Sequence, residues 1–106
     1  MAKLLNNLLF TAQITVATET YEFAARLGID RTAMAEVLAN GSGGSRAAGI
    51  VAGSAFDLSG LRQVATTLLA KDVGIMLDVA QRAEAMEPPH VVDLARTTLA
   101  RLTDGE

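Results

Sequence analysis

Apolar and polar residues recur with a helical period along most of the chain. Residues 3–27 contain neither Gly nor Pro, and Gly28 stands where a left-handed helix cap is wanted, so the pattern predicts one long helix. At about 100° per residue, Lys3, Asn7, Phe10, Ile14, Ala17 and Tyr21 share one face, while Leu5, Leu9, Ala12, Val16, Phe23 and Leu27 share the opposite one. A peripheral helix needs a single apolar stripe. A helix with two is expected to be buried on two sides, either as the central element of a bundle or beneath a second subunit.

Asp30 is placed to cap a short helix carrying Met34, Val37 and Leu38, which should end at Asn40-Gly41. After a glycine-rich turn, Ser45 can cap a further short helix through Ala47, Ile50 and Val51, before helical periodicity breaks between Gly53 and Gly60. From about Leu61 to Ala85 there is again no Pro, which predicts a second long helix; Gly74 within it would mark close packing. Pro88-Pro89 ends or separates helices, and Val91, Leu94, Ala95, Leu99 and Leu102 set the spacing of a closing one. No repeat and no alternating strand pattern is present. The expected fold class is all-α, a helical bundle built around the long N-terminal helix.

Composition narrows the function classes. With 106 residues, one domain with one hydrophobic core is expected. Half the residues are apolar, but with three Phe, one Tyr and no Trp the core must be built mainly from Ala, Leu and Val, which suits closely packed helices. Nine basic and twelve acidic residues are scattered along the chain for a net charge of -3, leaving no basic stripe for nucleic acid. Without Cys and with a single His, neither a disulfide framework nor a thiolate or imidazole metal cluster can form. No signal-peptide pattern opens the chain, and no stretch reaches the roughly 18 consecutive apolar residues of a membrane span. A cytoplasmic location, away from membranes, is the expectation.

Two sets of residues share a helical face and could carry chemistry, the first on a face that is otherwise apolar. Lys3 and Asn7 lie one turn apart. Lys71, Gly74 and Asp78 line one face of the second long helix beside Ile75. By spacing alone, the first pair also describes a terminal lysine snorkelling beside a polar neighbour, and the second a solvated surface charge pair. Asn40-Gly41-Ser42-Gly43-Gly44-Ser45 offers backbone amides to an anion or simply makes a flexible turn; it lacks the strand and spacing of a dinucleotide fingerprint. His90 has no partner at metal-ligand spacing and reads as a helix-start residue. Glu19, beside the second apolar face, reads equally as a buried anchor or as an exposed helix residue.

Ala2-Lys3-Leu4-Leu5-Asn6-Asn7 and Thr66-Thr67-Leu68-Leu69-Ala70-Lys71-Asp72-Val73-Gly74-Ile75 together resemble the C-terminal domain of the β-hydroxyacid dehydrogenases. Glu19 and Leu27-Gly28-Ile29-Asp30 fall between them where that family has similar residues, so the resemblance runs along essentially the whole chain. The members it is most similar to are 3-hydroxyisobutyrate dehydrogenase and the tartronate and succinic semialdehyde reductases, with 6-phosphogluconate dehydrogenase more distant. The resemblance implies a helical substrate-binding and dimerisation domain that works with a Rossmann domain holding NAD or NADP. It implies that Lys3 is the acid/base acting on the hydroxyl of a small β-hydroxy acid, that Asn7 positions the substrate, and that Lys71 lies by the nicotinamide end of the cofactor, with Asp78 at a polar position further on. The chemistry is coherent, because hydride departure from a carbinol carbon needs a base for the hydroxyl proton, and a lysine can serve in a desolvated cleft or beside another cation. Imine reductases of similar architecture tend to replace this lysine, so Lys3 favours alcohol or aldehyde chemistry.

Some features depart from the family pattern. The chain carries no G-x-G-x-x-G turn, so a Rossmann domain is read as absent and the isolated chain is expected to bind no dinucleotide. Val64 stands where relatives often have Phe, and the usual polar tail is missing after Glu106. The expected partners are a second copy in a homodimer and, for catalysis, a separate Rossmann-domain subunit. The alternative function is a non-catalytic helical dimerisation module.

Overall fold

In the computed structural model, residues 1–64, 69–82 and 90–103 are described. They form six helices, α1 (Ala2–Arg26), α2 (Arg31–Asn40), α3 (Arg46–Gly53), α4 (Ser59–Val64), α5 (Ala70–Arg82) and α6 (His90–Thr103), with no strand among the described residues. The protein is all-α, as the periodicity predicts. The long α1 packs against each of α2, α3, α5 and α6, and is the element around which the others assemble. None of the described helices is long and apolar enough to cross a membrane.

Local chemistry sets the helix ends. Gly28 has φ +82°, and its N–H donates to Ala25 O while that of Ile29 reaches back to Ala24 O at 2.9 Å, the paired bonds of a Schellman cap. Asp30 accepts a hydrogen bond from Ala33 N at 3.1 Å and Ser45 one from Ala48 N at 3.0 Å, so both predicted N-caps are made. The turn between α2 and α3 is tight rather than loose: a Cβ on Gly44 would lie 2.1 Å from the Leu38 carbonyl oxygen. Of the expected helix over 61–85, residues 61–64 lie in α4, which already starts at Ser59, and residues 70–82 form α5. Ala65–Leu68, Ala83–Ala85 and Pro88-Pro89 lie outside the described residues.

Two apolar clusters flank α1. Ile14, Ala17 and Tyr21 meet Ala47, Ala48 and Val51 of α3, whereas Leu8 and Ala12 meet Val73 of α5 and Val92 and Ala95 of α6. The contact between α1 and α6 also has a buried polar part. Thr98 donates to the Thr11 carbonyl oxygen at 2.7 Å, and its Oγ1 also meets Thr15 Oγ1; all three threonines are buried. Such hydroxyls are tolerated inside because each has a partner.

The two-sided burial expected of α1 is met only in part. The Ile14–Tyr21 face is covered, and Ala12 joins it, but Leu5, Leu9, Val16, Phe23 and Leu27 keep between 47% and 62% of their surface exposed. Among the described residues this second stripe is left largely uncovered. Gly74, expected to mark close packing, instead faces open space, with nothing within 4 Å of where a Cβ would stand.

Candidate functional site

The first turns of α1 and α5 meet. Lys3 is exposed at the start of α1, and one turn on, Asn7 is half-buried against α5. Its Nδ2 donates to Asp72 Oδ2 at 2.7 Å, its Oδ1 accepts from Asn6 Nδ2 at 3.3 Å, and its backbone carbonyl accepts from Thr11 Oγ1 at 2.7 Å. An amide held at both ends cannot rotate freely, so its remaining N–H is aimed by the fold. Asp72 is itself fixed by Val73, which is fully buried against Leu8.

The segment with Lys3 and Asn7 and the segment with Lys71 and Asp72, 65 residues apart at the bonded pair, are thus joined by a charge-assisted hydrogen bond. Asp72 was not singled out from the sequence. The available signal was its position on the flank of α5, about 100° from Lys71 and next to the apolar face that must pack on α1. Lys71 and Gly74 face away from the core and are exposed, and neither Lys71 nor Lys3 forms an ion pair among the described residues. Asp78 lies on the same outer face and pairs with Arg82 at 3.3 Å, both side chains largely exposed. The structure therefore brings Asn7 to α5, leaves Lys71 open, and ties Asp78 into a surface pair.

Beside Asn7 a cleft of about 430 Å³ opens between α1, α3 and the start of α5. Its polar wall is Asn6, Asn7, Gln13 and Arg46, and its apolar wall includes Ile50 and Leu69. A second cavity, about 370 Å³ between α2 and α3, is walled largely by Ala and Gly and offers Glu36 as its carboxylate. It lies by Tyr21, whose hydroxyl donates to the Ala48 carbonyl oxygen at 2.9 Å and whose acidity burial weakens, raising its pKa. Of the other residues singled out, Glu19 and His90 are both exposed. No group of three or more His, Asp or Glu side chains placed to hold a metal occurs among the described residues.

A family model described as NAD-binding of NADP-dependent 3-hydroxyisobutyrate dehydrogenase matches residues 1–104. The chain belongs to this family. Among curated proteins and among solved structures, nothing matches it. As a member of the 3-hydroxyisobutyrate dehydrogenase family, it is tied to NAD(P)-dependent oxidoreductases through a region that the family description itself calls NAD-binding. On the outer face of α5, Lys71 presents a cation without an ion pair among the described residues, and Gly74 beside it leaves the helix surface open.

Proposed function

We propose that this chain is the helical, C-terminal-type part of an NAD(P)-dependent β-hydroxyacid dehydrogenase, distantly related to 6-phosphogluconate dehydrogenase, and that it forms one wall of the substrate cleft while a Rossmann domain forms the other. The observation that carries the reading is the hydrogen bond from Asn7 to Asp72, which unites the two family motifs at one place. NAD(P), when bound, supplies the hydride acceptor, or the donor in the reductive direction. The chain's own residues do the rest. Lys3 takes the proton from the substrate hydroxyl and returns it in reverse; Asn7, oriented by Asp72, donates its free N–H to the substrate and holds it within reach of Lys3. Lys71 binds the cofactor from the open face of α5, and Asp78 contributes there through its pair with Arg82 rather than as a bare carboxylate.

The uncovered stripe on α1 supports a second reading of the same fold, as a dimerisation module without activity of its own. Reconstitution separates the two. The chain mixed with the Rossmann domain of a related enzyme should oxidise one or more small β-hydroxy acids in an NAD- or NADP-dependent manner. A properly assembled complex that shows no turnover with any of them would leave only the association role.

A further inference from the structure

Arg46 has a location that the fold does not explain. It occupies the first turn of α3, where a cation opposes the helix dipole, and no acidic residue shares that turn. It makes no hydrogen bond or ion pair among the described residues. The comparable Arg31, in the first turn of α2, is by contrast used, its guanidinium lying 5.7 Å from the centre of the Phe56 ring. Arg46 instead lines the cleft of about 430 Å³ that also contains Asn6, Asn7 and Gln13.

We propose that this cleft is a subsite for a carboxylate on a short apolar chain, with Arg46 binding the carboxylate and Ile50 and Leu69 flanking the chain. The lining has the required chemistry: a planar guanidinium suited to two parallel bonds with a carboxylate, amides to complete its shell, and apolar side chains that include Ile50, one turn along α3 from Arg46, and Leu69. The cleft has the concavity and mixed lining of a small-molecule site. The inference rests on the reading of Asn7 as a substrate-positioning residue, and it makes Arg46 the residue that selects substrates with an anionic end remote from Lys3.

The test is a nuclear magnetic resonance titration of the ¹⁵N-labelled 106-residue protein with sodium butyrate, against butyramide at matched ionic strength. Butyrate should shift the amides of Arg46 and Ile50 and the side-chain amides of Asn7 and Gln13 saturably. Butyramide should bind about tenfold more weakly or worse, and Arg46→Met should reduce butyrate affinity by about the same factor, with Arg46→Lys intermediate. Because Arg46 is exposed, the variant spectra should otherwise match the parent and report that the fold is intact. Equal response to both ligands, no saturable response, or undiminished binding by Arg46→Met would overturn the proposal. Butyrate shifts centred on Lys3 and indifferent to Arg46→Met would overturn the subsite and leave the role of Lys3 standing. The subsite would survive a reconstituted enzyme in which Lys3 proved dispensable.

Discussion

Removing the Thr98 hydroxyl by Thr98→Val should test whether the buried threonines hold α6 to the helix that bears Lys3 and Asn7. Thr98 is 1% exposed; its hydroxyl proton goes to the Thr11 carbonyl oxygen at 2.7 Å, with the Leu94 carbonyl oxygen a longer second acceptor at 3.1 Å, which leaves Thr15 Oγ1 to donate to Thr98 Oγ1. The substitution therefore deletes two bonds of about 1 kcal/mol each and strands a buried hydroxyl, for which about 1–3 kcal/mol is the ordinary cost. Thr15 has an escape, however. It can turn to the carbonyl one turn back, as Thr18 does to Ile14 O at 2.7 Å, so the expected loss is about 2 kcal/mol. Thr15→Val leaves the Thr98 bond to Thr11 intact and should cost about 1 kcal/mol. In the double variant the bond that the two hydroxyls share is lost once rather than counted twice, so it should lose about 1 kcal/mol less than the sum of the single losses. Urea and thermal unfolding of the four proteins, followed by circular dichroism at one fixed protein concentration, measures the cycle; about 4–8 °C of Tm accompanies each kcal/mol in a domain of this size. Additive losses, or a neutral Thr98→Val, would refute the network.

Two further outcomes follow from the same packing. Tyr21 is the only tyrosine in the chain, so its phenolate absorbance can be titrated alone. Burial raises its pKa, which means that its contribution to stability is intact below the ordinary value of about 10 and is lost as the pH climbs through the raised value; ionisation at or below about 10 in the folded protein would contradict this. The open stripe on α1 predicts a homodimer, and Phe23→Glu, at a side chain 59% exposed, should shift the chain towards monomer with loss of about 1.5–3 kcal/mol of association energy per subunit. Light scattering that finds wild type monomeric at all concentrations would sink this prediction.

How much was legible in the sequence follows from the range of each interaction. The Gly28 cap and the N-caps at Asp30 and Ser45 depend on residues within a turn of one another, and they are where the sequence places them. The long α1 was equally plain from an uninterrupted helical pattern. Partners across the fold were not legible. Thr11, Thr15 and Thr98 read as polar and are buried, because only tertiary packing shows that their hydroxyls satisfy one another. Gly74 was read as a packing position and faces open space, since glycine marks either a close neighbour or room for one. Asp72 was overlooked beside Lys71 because its role depends on a hydrogen bond to Asn7, 65 residues away. Arg46 shows nothing in the pattern, as it is its lack of a partner among the described residues that makes it informative.

On the proposed function, Lys3 moves the proton while Lys71 serves the cofactor. Steady-state pH–rate profiles of the reconstituted enzyme test it, comparing wild type with Lys3→Met and Lys71→Met. Lys3→Met keeps most of the side-chain length but removes the proton acceptor, and general acid–base catalysis contributes about 10²- to 10⁴-fold, so kcat should fall within that range and the pH-dependent limb should vanish. Lys71→Met should mainly raise the KM for the nucleotide and leave that limb in place. Near-normal turnover of Lys3→Met with an unchanged pH profile would contradict the account.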